Sequence, residues 1–247
     1  MSASARARVG RQMGVSRERP FVFVNMAMTA DGKIATANRR VSSFGSAQDM
    51  EHLYELRATA DAVMAGARTL DLNEVHLGPG GARFRRERRR RGLAEYNLRI
   101  AVSGSGSIDA GAAIFRRRFA PLILLTTERA GPTRLRRLGA LADEVLICGE
   151  RELDFAHAFR ELRRRWNVRR LLCEGGGELN AALFGAHLID EVHLTICPKV
   201  CGGRTAPTIS GGPDPRRLLD ATAWTLRAAK PIGSEIFLVY RARQSPG

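Results

Sequence analysis

The strongest constraint on the fold is a rhythm. Short apolar runs, each closed by glycine or a polar turn, alternate with segments of helical spacing. The runs lie at residues 21–26, 62–65, 98–102, 122–126, 145–148 and 170–173. Between them, Ser46 offers a hydroxyl cap, with Asp49 three residues on and Met50, Leu53, Tyr54 and Arg57 at helical spacing. Asp154 caps a second segment that carries Phe155, Ala158, Phe159, Leu162 and Trp166 on one face. Apolar strands separated by helices are buried on both faces, which predicts an α/β fold with a mostly parallel central sheet between helical layers. Residues 191–197 and 236–240 read as strands with no long helix between them, so antiparallel strands are expected at the C-terminal edge. Residues 71–97, rich in arginine and glycine, read as an irregular connection. Without an internal repeat or a clean linker, residues 20–247 are expected to form one domain after a disordered basic tail at residues 1–19.

Composition excludes several classes. The longest apolar run, residues 121–125, is far below the roughly 20 residues a membrane helix needs. The N-terminus carries five arginines with no apolar stretch after them, so it reads neither as a secretory signal nor as an anchor. Cys148, Cys173, Cys197 and Cys201 are too few and scattered for a disulfide framework, and no second Cys or His pair stands at zinc spacing. Buried thiols, no metal and a cytoplasmic location are expected. The net charge of +15 is concentrated in arginine runs such as residues 83–91, 116–118 and 163–165. No helix-turn-helix, zinc finger or aromatic RNA-binding strand accompanies them, which argues for solvated faces over a nucleic-acid site. A cationic surface still attracts phosphorylated small molecules.

The sharpest local feature is a strand running straight into Glu174-Gly175-Gly176-Gly177 and then a helix. A helix start offers unpaired N–H groups and a positive dipole end, and glycines admit a phosphate to the backbone; a tight turn needing positive φ gives the same pattern. Glu174, ending a buried strand, either holds a substrate hydroxyl or amine or accepts hydrogen bonds from the turn. Ser103-Gly104-Ser105-Gly106-Ser107 ends another strand, as a phosphate border or a plain loop. Neither G-x-G-x-x-G, nor a P-loop, nor G-x-S-x-G occurs, and the five histidines have no triad or metal neighbours in sequence.

Five blocks in order resemble a known family. They are the stretch from Asn25 to Ile34, Leu56-Arg57-Ala58 with Asp61-Ala62, Gly66 with Thr69, Cys173 to Gly177, and the stretch from Asp190 to Gly203. Together they are similar to the pyrimidine reductases of riboflavin biosynthesis, across about residues 20 to 210. The resemblance implies a dihydrofolate-reductase-like three-layer fold, NADPH, and a homodimer. It implies hydride transfer to the ribosyl C1′ of 5-amino-6-(5-phosphoribosylamino)uracil, giving the ribitylamino form. The deaminase that often accompanies such a domain needs H-x-E and P-C-x-x-C, absent here, so a stand-alone reductase is expected.

By position, the resemblance assigns cofactor contacts to Ala27, Thr69, Ser103, Gly175, Gly176, Gly177, Glu178 and Leu179, and substrate contacts to Arg57, Leu77 and Glu174. Where the family has an Asp-Asp-Pro-x-Leu-Thr-x-Arg stretch, this chain departs. Asn73 stands at the position of the first, catalytic Asp, and Arg83 is the nearest substitute for the phosphate-binding Arg. Other readings are a related reductase of another heterocycle or carbonyl, and a non-catalytic nucleotide- or nucleic-acid-binding protein.

Overall fold

A computed structural model of the chain describes residues 18–39, 45–212 and 221–243. The strands are β1 (Phe21–Thr29), β2 (Ala62–Gly66), β3 (Leu98–Val102), β4 (Leu122–Thr126), β5 (Glu144–Ile147), β6 (Arg170–Cys173), β7 (Glu191–Cys197), β8 (Trp224–Ile232) and β9 (Glu235–Ala242). The helices are α1 (Ala47–Arg57), α2 (Ala67–Leu72), α3 (Ala82–Arg90), α4 (Ala113–Arg116), α5 (Gly131–Leu141), α6 (Phe155–Trp166) and α7 (Gly177–Gly185). All nine strands join one sheet in the order β5-β4-β3-β2-β6-β1-β7-β9-β8. Pairing is parallel from β5 through β7 and antiparallel for β7–β9 and β9–β8, as the sequence predicts.

Side chains alternate along each buried strand, so each strand feeds two cores. Val22, Val24, Met64, Ile100, Ile123, Leu125 and Leu171 face α6 and α7, which contribute Phe155, Phe159, Leu162, Leu179 and Leu183. Phe21, Phe23, Val63, Ala101, Leu122, Leu124 and Leu172 face the other way, against Leu56 of α1, Leu70 of α2, Phe115 of α4 and Leu138 of α5. Each side chain of this size is worth about 1.5–3 kcal/mol when fully buried, so two continuous cores hold the layers without a staple. Among the described residues Cys148, Cys173 and Cys197 are buried free thiols and Cys201 is exposed, and no group of residues is placed to hold a metal.

Three differences from the sequence reading have physical causes. Residues 71–97 are not irregular throughout, because arginine is a good helix former and α3 assembles from its own arginine run. Within that run Arg88 points inward, 1% exposed, and its guanidinium donates to the carbonyls of Arg57, Ala60 and Ala94. Burial lowers its pKa to about 10, and carbonyls at the end of α1 take the place of a carboxylate partner. Arg99 is likewise buried, donating to Ile114, Arg117 and Ala120 carbonyls, so not every arginine is a solvated surface residue. Strand β8 carries Arg227, Lys230 and Pro231 and is exposed on both faces over most of its length, so it has no apolar alternation to read. Residues 1–17 of the expected tail lie outside the described residues; Arg19, also assigned to it, donates two hydrogen bonds to the Asp190 carboxylate at 2.7 and 2.8 Å.

Candidate active site

The C-terminal ends of β1, β2, β3 and β6 open into one cleft of about 1710 Å³, where the sheet connections diverge. Ligands of open parallel sheets lie at such a point. Small residues give it a flat floor: Ala27 on β1, and Ala65, Gly66 and Ala67 where β2 passes into α2.

The glycine turn between β6 and α7 forms one wall. Glu174 N–H donates to the Met64 carbonyl and Gly66 N–H to the Gly175 carbonyl, both at 2.9 Å, so the turn is stitched to β2. Gly175 has φ +78°, and a Cβ there would lie 2.8 Å from the Met26 sulfur. A Cβ on Gly176 would lie 3.1 Å from the Thr69 hydroxyl oxygen. Only glycine keeps this wall low, and the first turn of α7 then presents N–H groups without intrahelical partners. Such a cradle fits the phosphates of a nicotinamide dinucleotide, as the resemblance expects.

Ala27, Thr69, Ser103, Gly176, Gly177, Glu178 and Leu179 all border this cleft, as do Arg57, Asn73 and Glu174. Gly175 does not; it lies beneath the turn against Met26. Leu77 is fully buried in the core beside α1, its carbonyl accepting from the Asn97 amide. Arg83 is exposed on α3 and pairs with Glu51. Neither Leu77 nor Arg83 is among the residues bordering the cleft, although Leu77 directly precedes Gly78, whose carbonyl accepts from Arg57.

Arg57 and Glu174, read separately from the sequence, are partners. The guanidinium donates to both carboxylate oxygens at 2.6 and 2.7 Å and to the Gly78 carbonyl at 2.6 Å. Their side chains are 6% and 11% exposed. Burial works against the charge of Arg57, but the Glu174 carboxylate holds its pKa above the ordinary guanidinium value. A carboxylate that accepts two hydrogen bonds still has lone pairs for a third donor from the cleft. Asn73 ends α2, and its amide nitrogen donates to the Thr69 carbonyl at 2.8 Å.

Sequence reasoning missed further polar residues of the cleft. Asn25 is 8% exposed, and its carbonyl oxygen has no hydrogen-bond partner among the described residues. Asp49, noted only for its place in a cap, also lines the cleft, and burial followed by the charge of Glu235 pushes its carboxyl above the usual range. Both lie within apolar-periodic segments, where a polar residue at a strand or helix position is the signal. At the mouth, Glu178 pairs with Arg39 and Arg68. Partial burial opposes its charge, yet the hydrogen bonds of these arginines hold its carboxyl below the usual range.

The family described as the RibD C-terminal domain matches residues 20–238. This chain belongs to the RibD C-terminal domain family. Members similar to it include the 2,5-diamino-6-ribosylamino-4(3H)-pyrimidinone 5′-phosphate reductases of Methanothermobacter thermautotrophicus and Archaeoglobus fulgidus. The first is 30% identical, over 91% of this chain and 99% of its own length. The second is 32% identical, over 78% of this chain and 87% of its own. In fold, a pyrimidine reductase-like protein from Corynebacterium diphtheriae matches with a TM-score of 0.75 at 20% identity, over 95% of this chain and 96% of the other. The deaminase/reductase of Thermotoga maritima matches with a TM-score of 0.70 at 19% identity, and this chain spans 58% of it. The RibD C-terminal domain fold thus accounts for nearly the whole described chain.

Proposed function

We propose that the protein is an NADPH-dependent reductase of riboflavin biosynthesis whose substrate is 2,5-diamino-6-ribosylamino-4(3H)-pyrimidinone 5′-phosphate. The observation that carries this reading is the meeting, in one cleft, of the low glycine wall and the buried Arg57–Glu174 pair. The diamino pyrimidine is preferred to the uracil expected from the sequence because the relatives named for it are covered over nearly their full length.

When bound, a reduced nicotinamide would supply a hydride for the ribosyl C1′, and the O4′ released as the C1′–O4′ bond opens would need a proton. The chain's own groups do the rest. Gly176, Gly177 and the first turn of α7 would hold the cofactor phosphates, and Ala27 with Ala65 would leave room for a flat ring. Arg57 fixes the Glu174 carboxylate so that it can accept from substrate amino or hydroxyl groups without reorganising. Asn73 cannot move a proton at neutral pH. Two cleft carboxyls are pushed above the usual range chiefly by burial, Asp49 and Asp71, and Asp71 already accepts from the Asp109 N–H. Asp49 and Asp71 are both candidates to donate the proton, and loss of turnover on Asp49→Asn or on Asp71→Asn tells them apart.

Free cysteines fit a cytoplasmic enzyme, and no described helix is long and apolar enough to cross a membrane. The exposed β8 edge, with Leu226 51% exposed, fits the expected homodimer and is tested by sedimentation. The decisive assay follows NADPH oxidation with both phosphoribosylaminopyrimidines, pterins and simple carbonyls. Stoichiometric oxidation with the pyrimidines, faster with the diamino form, is expected. Turnover of pterins or carbonyls alone would replace this reading with the related reductase.

A further inference from the structure

Five arginines border the cleft: Arg39, Arg57, Arg68, Arg129 and Arg151. Three are already engaged, Arg57 by Glu174 and the other two by Glu178. The side chains of Arg129 and Arg151 have no hydrogen-bond or ion-pair partner among the described residues, and both are exposed. An unpaired exposed arginine is common in so basic a chain; two brought together at a cleft by a stitched set of loops are not.

The stitching is specific. Thr127, just past β4, donates through its hydroxyl to the Gly104 carbonyl at 2.7 Å, tying the β4 loop to the end of β3. Glu128 N–H donates to the Gly149 carbonyl at 3.0 Å and Arg129 N–H to the Glu150 carbonyl at 2.9 Å, tying the β4 loop to the β5 loop. Arg129 is thereby held beside the residue that precedes Arg151. A Cβ on Gly104 would lie 3.7 Å from a terminal guanidinium nitrogen of Arg129, so this guanidinium rests close to the Gly104 backbone. Ser103, Ser105 and Ser107 border the cleft on the same loop and add hydroxyl donors.

Along the sheet, β4 and β5 are the third and fourth neighbours of β6, the strand that feeds the glycine wall. At about 4.8 Å per strand the arginine loops stand roughly 14–19 Å from that wall. A dinucleotide with its pyrophosphate at α7 and its adenosine half directed across the ends of β2 and β3 would bring the ribose toward the reach of these arginine side chains. We infer that Arg129 and Arg151 form the subsite for the ribose 2′-phosphate and so set the preference for NADPH over NADH. The inference rests on the reductase reading above. The guanidinium fork matches phosphate geometry and remains charged at any working pH. Opposing charges are close: Glu152 and Asp154 also border the cleft, and Asp154 is engaged by the His157 N–H. A carboxylate is the usual partner of a free ribose 2′-hydroxyl, so Glu152 would favour NADH if it dominated.

The test is equilibrium binding of NADP⁺ and NAD⁺ by calorimetry at fixed ionic strength, without substrate, for the wild type, Arg129→Ala, Arg151→Ala and the double variant. Both side chains are exposed, so the variants are expected to keep the wild-type melting temperature. Each single variant should lose about tenfold or more in NADP⁺ affinity, as for a lost charge-assisted hydrogen bond, with NAD⁺ binding unchanged. The double variant should bind the two dinucleotides equally. Binding of 2′,5′-ADP should weaken in parallel. Retained NADP⁺ affinity in the double variant, or an equal loss for NAD⁺, overturns the inference while leaving a nicotinamide-dependent reductase intact. Failure of the wild type to bind either dinucleotide overturns both.

Discussion

Replacing Glu174 by Gln is the most informative single change, because it removes one charge from a buried pair and almost no volume. Glu174 now accepts two hydrogen bonds from Arg57, and among the described residues the Arg57 guanidinium has only the Gly78 carbonyl as a further acceptor. With the carboxylate gone, a cation only 6% exposed keeps the Gly78 carbonyl and one neutral amide oxygen, and meets an amide donor where the second carboxylate oxygen accepted. Breaking a buried pair on one side costs about 3–5 kcal/mol. A chain of this size loses roughly 2–4 °C per kcal/mol, so the melting temperature should fall by about 6–20 °C. Circular dichroism melts at neutral pH measure it. The double variant Arg57→Met with Glu174→Leu removes both charges and should recover most of that stability while remaining inactive. A drop below about 2 °C for Glu174→Gln would refute the reasoning, since the guanidinium would then be stabilised by something other than this carboxylate. Recovery of activity in the double variant would refute the assignment of the pair to the substrate end.

Three further predictions follow from the same geometry. Gly176→Val should leave the fold nearly intact but weaken dinucleotide binding at least tenfold in a fluorescence titration, whereas Gly175→Ala should lower the melting temperature, because its Cβ would meet Met26 and its φ is left-handed. His52 has a pKa lowered from 6.5 to about 4, by burial first and by the charge of His193 second. The unfolded chain therefore takes up a proton that the folded one refuses, so stability falls as pH drops from about 6.5 to about 4 and is unaffected above that window; urea melts of His52→Phe should lose this part of the slope. Asn73→Asp would set a carboxylate against the Thr69 carbonyl at the end of α2, so it is expected to destabilise by about 1 kcal/mol and to leave turnover unchanged or lower. A rise in kcat would instead support a catalytic acid at this position, as the family resemblance implies.

Legibility in the sequence tracked where the physics was local. Ser46 and Asp154 cap α1 and α6 because a short polar side chain reaches the next N–H groups whatever surrounds it. The turn at Glu174 was visible because three glycines in a row have few other uses at a strand end. Strand β8 was hidden because burial, the source of alternation, is absent along it. The roles of Leu77 and Arg83 rest on the resemblance alone, in a stretch where this chain departs from the family pattern, and the sequence does not show that Leu77 is buried and Arg83 turned to solvent.

The sequence by itself determined the alternation of the parallel strands with most of their helices, the two-sided burial of those strands, the glycine turn and the family resemblance, since each is written in short-range pattern. Only the tertiary structure decided which charges meet. Arg57 and Glu174 are 117 residues apart, Arg88 reaches back 31 residues to the Arg57 carbonyl, and Arg129 stands beside the Arg151 loop only because β4 and β5 pair. Forty lysines and arginines look alike along a chain. Which is a buried brace, which holds a carboxylate and which stays free for a ligand depends on desolvation and on partners, and both exist only once the sheet has assembled.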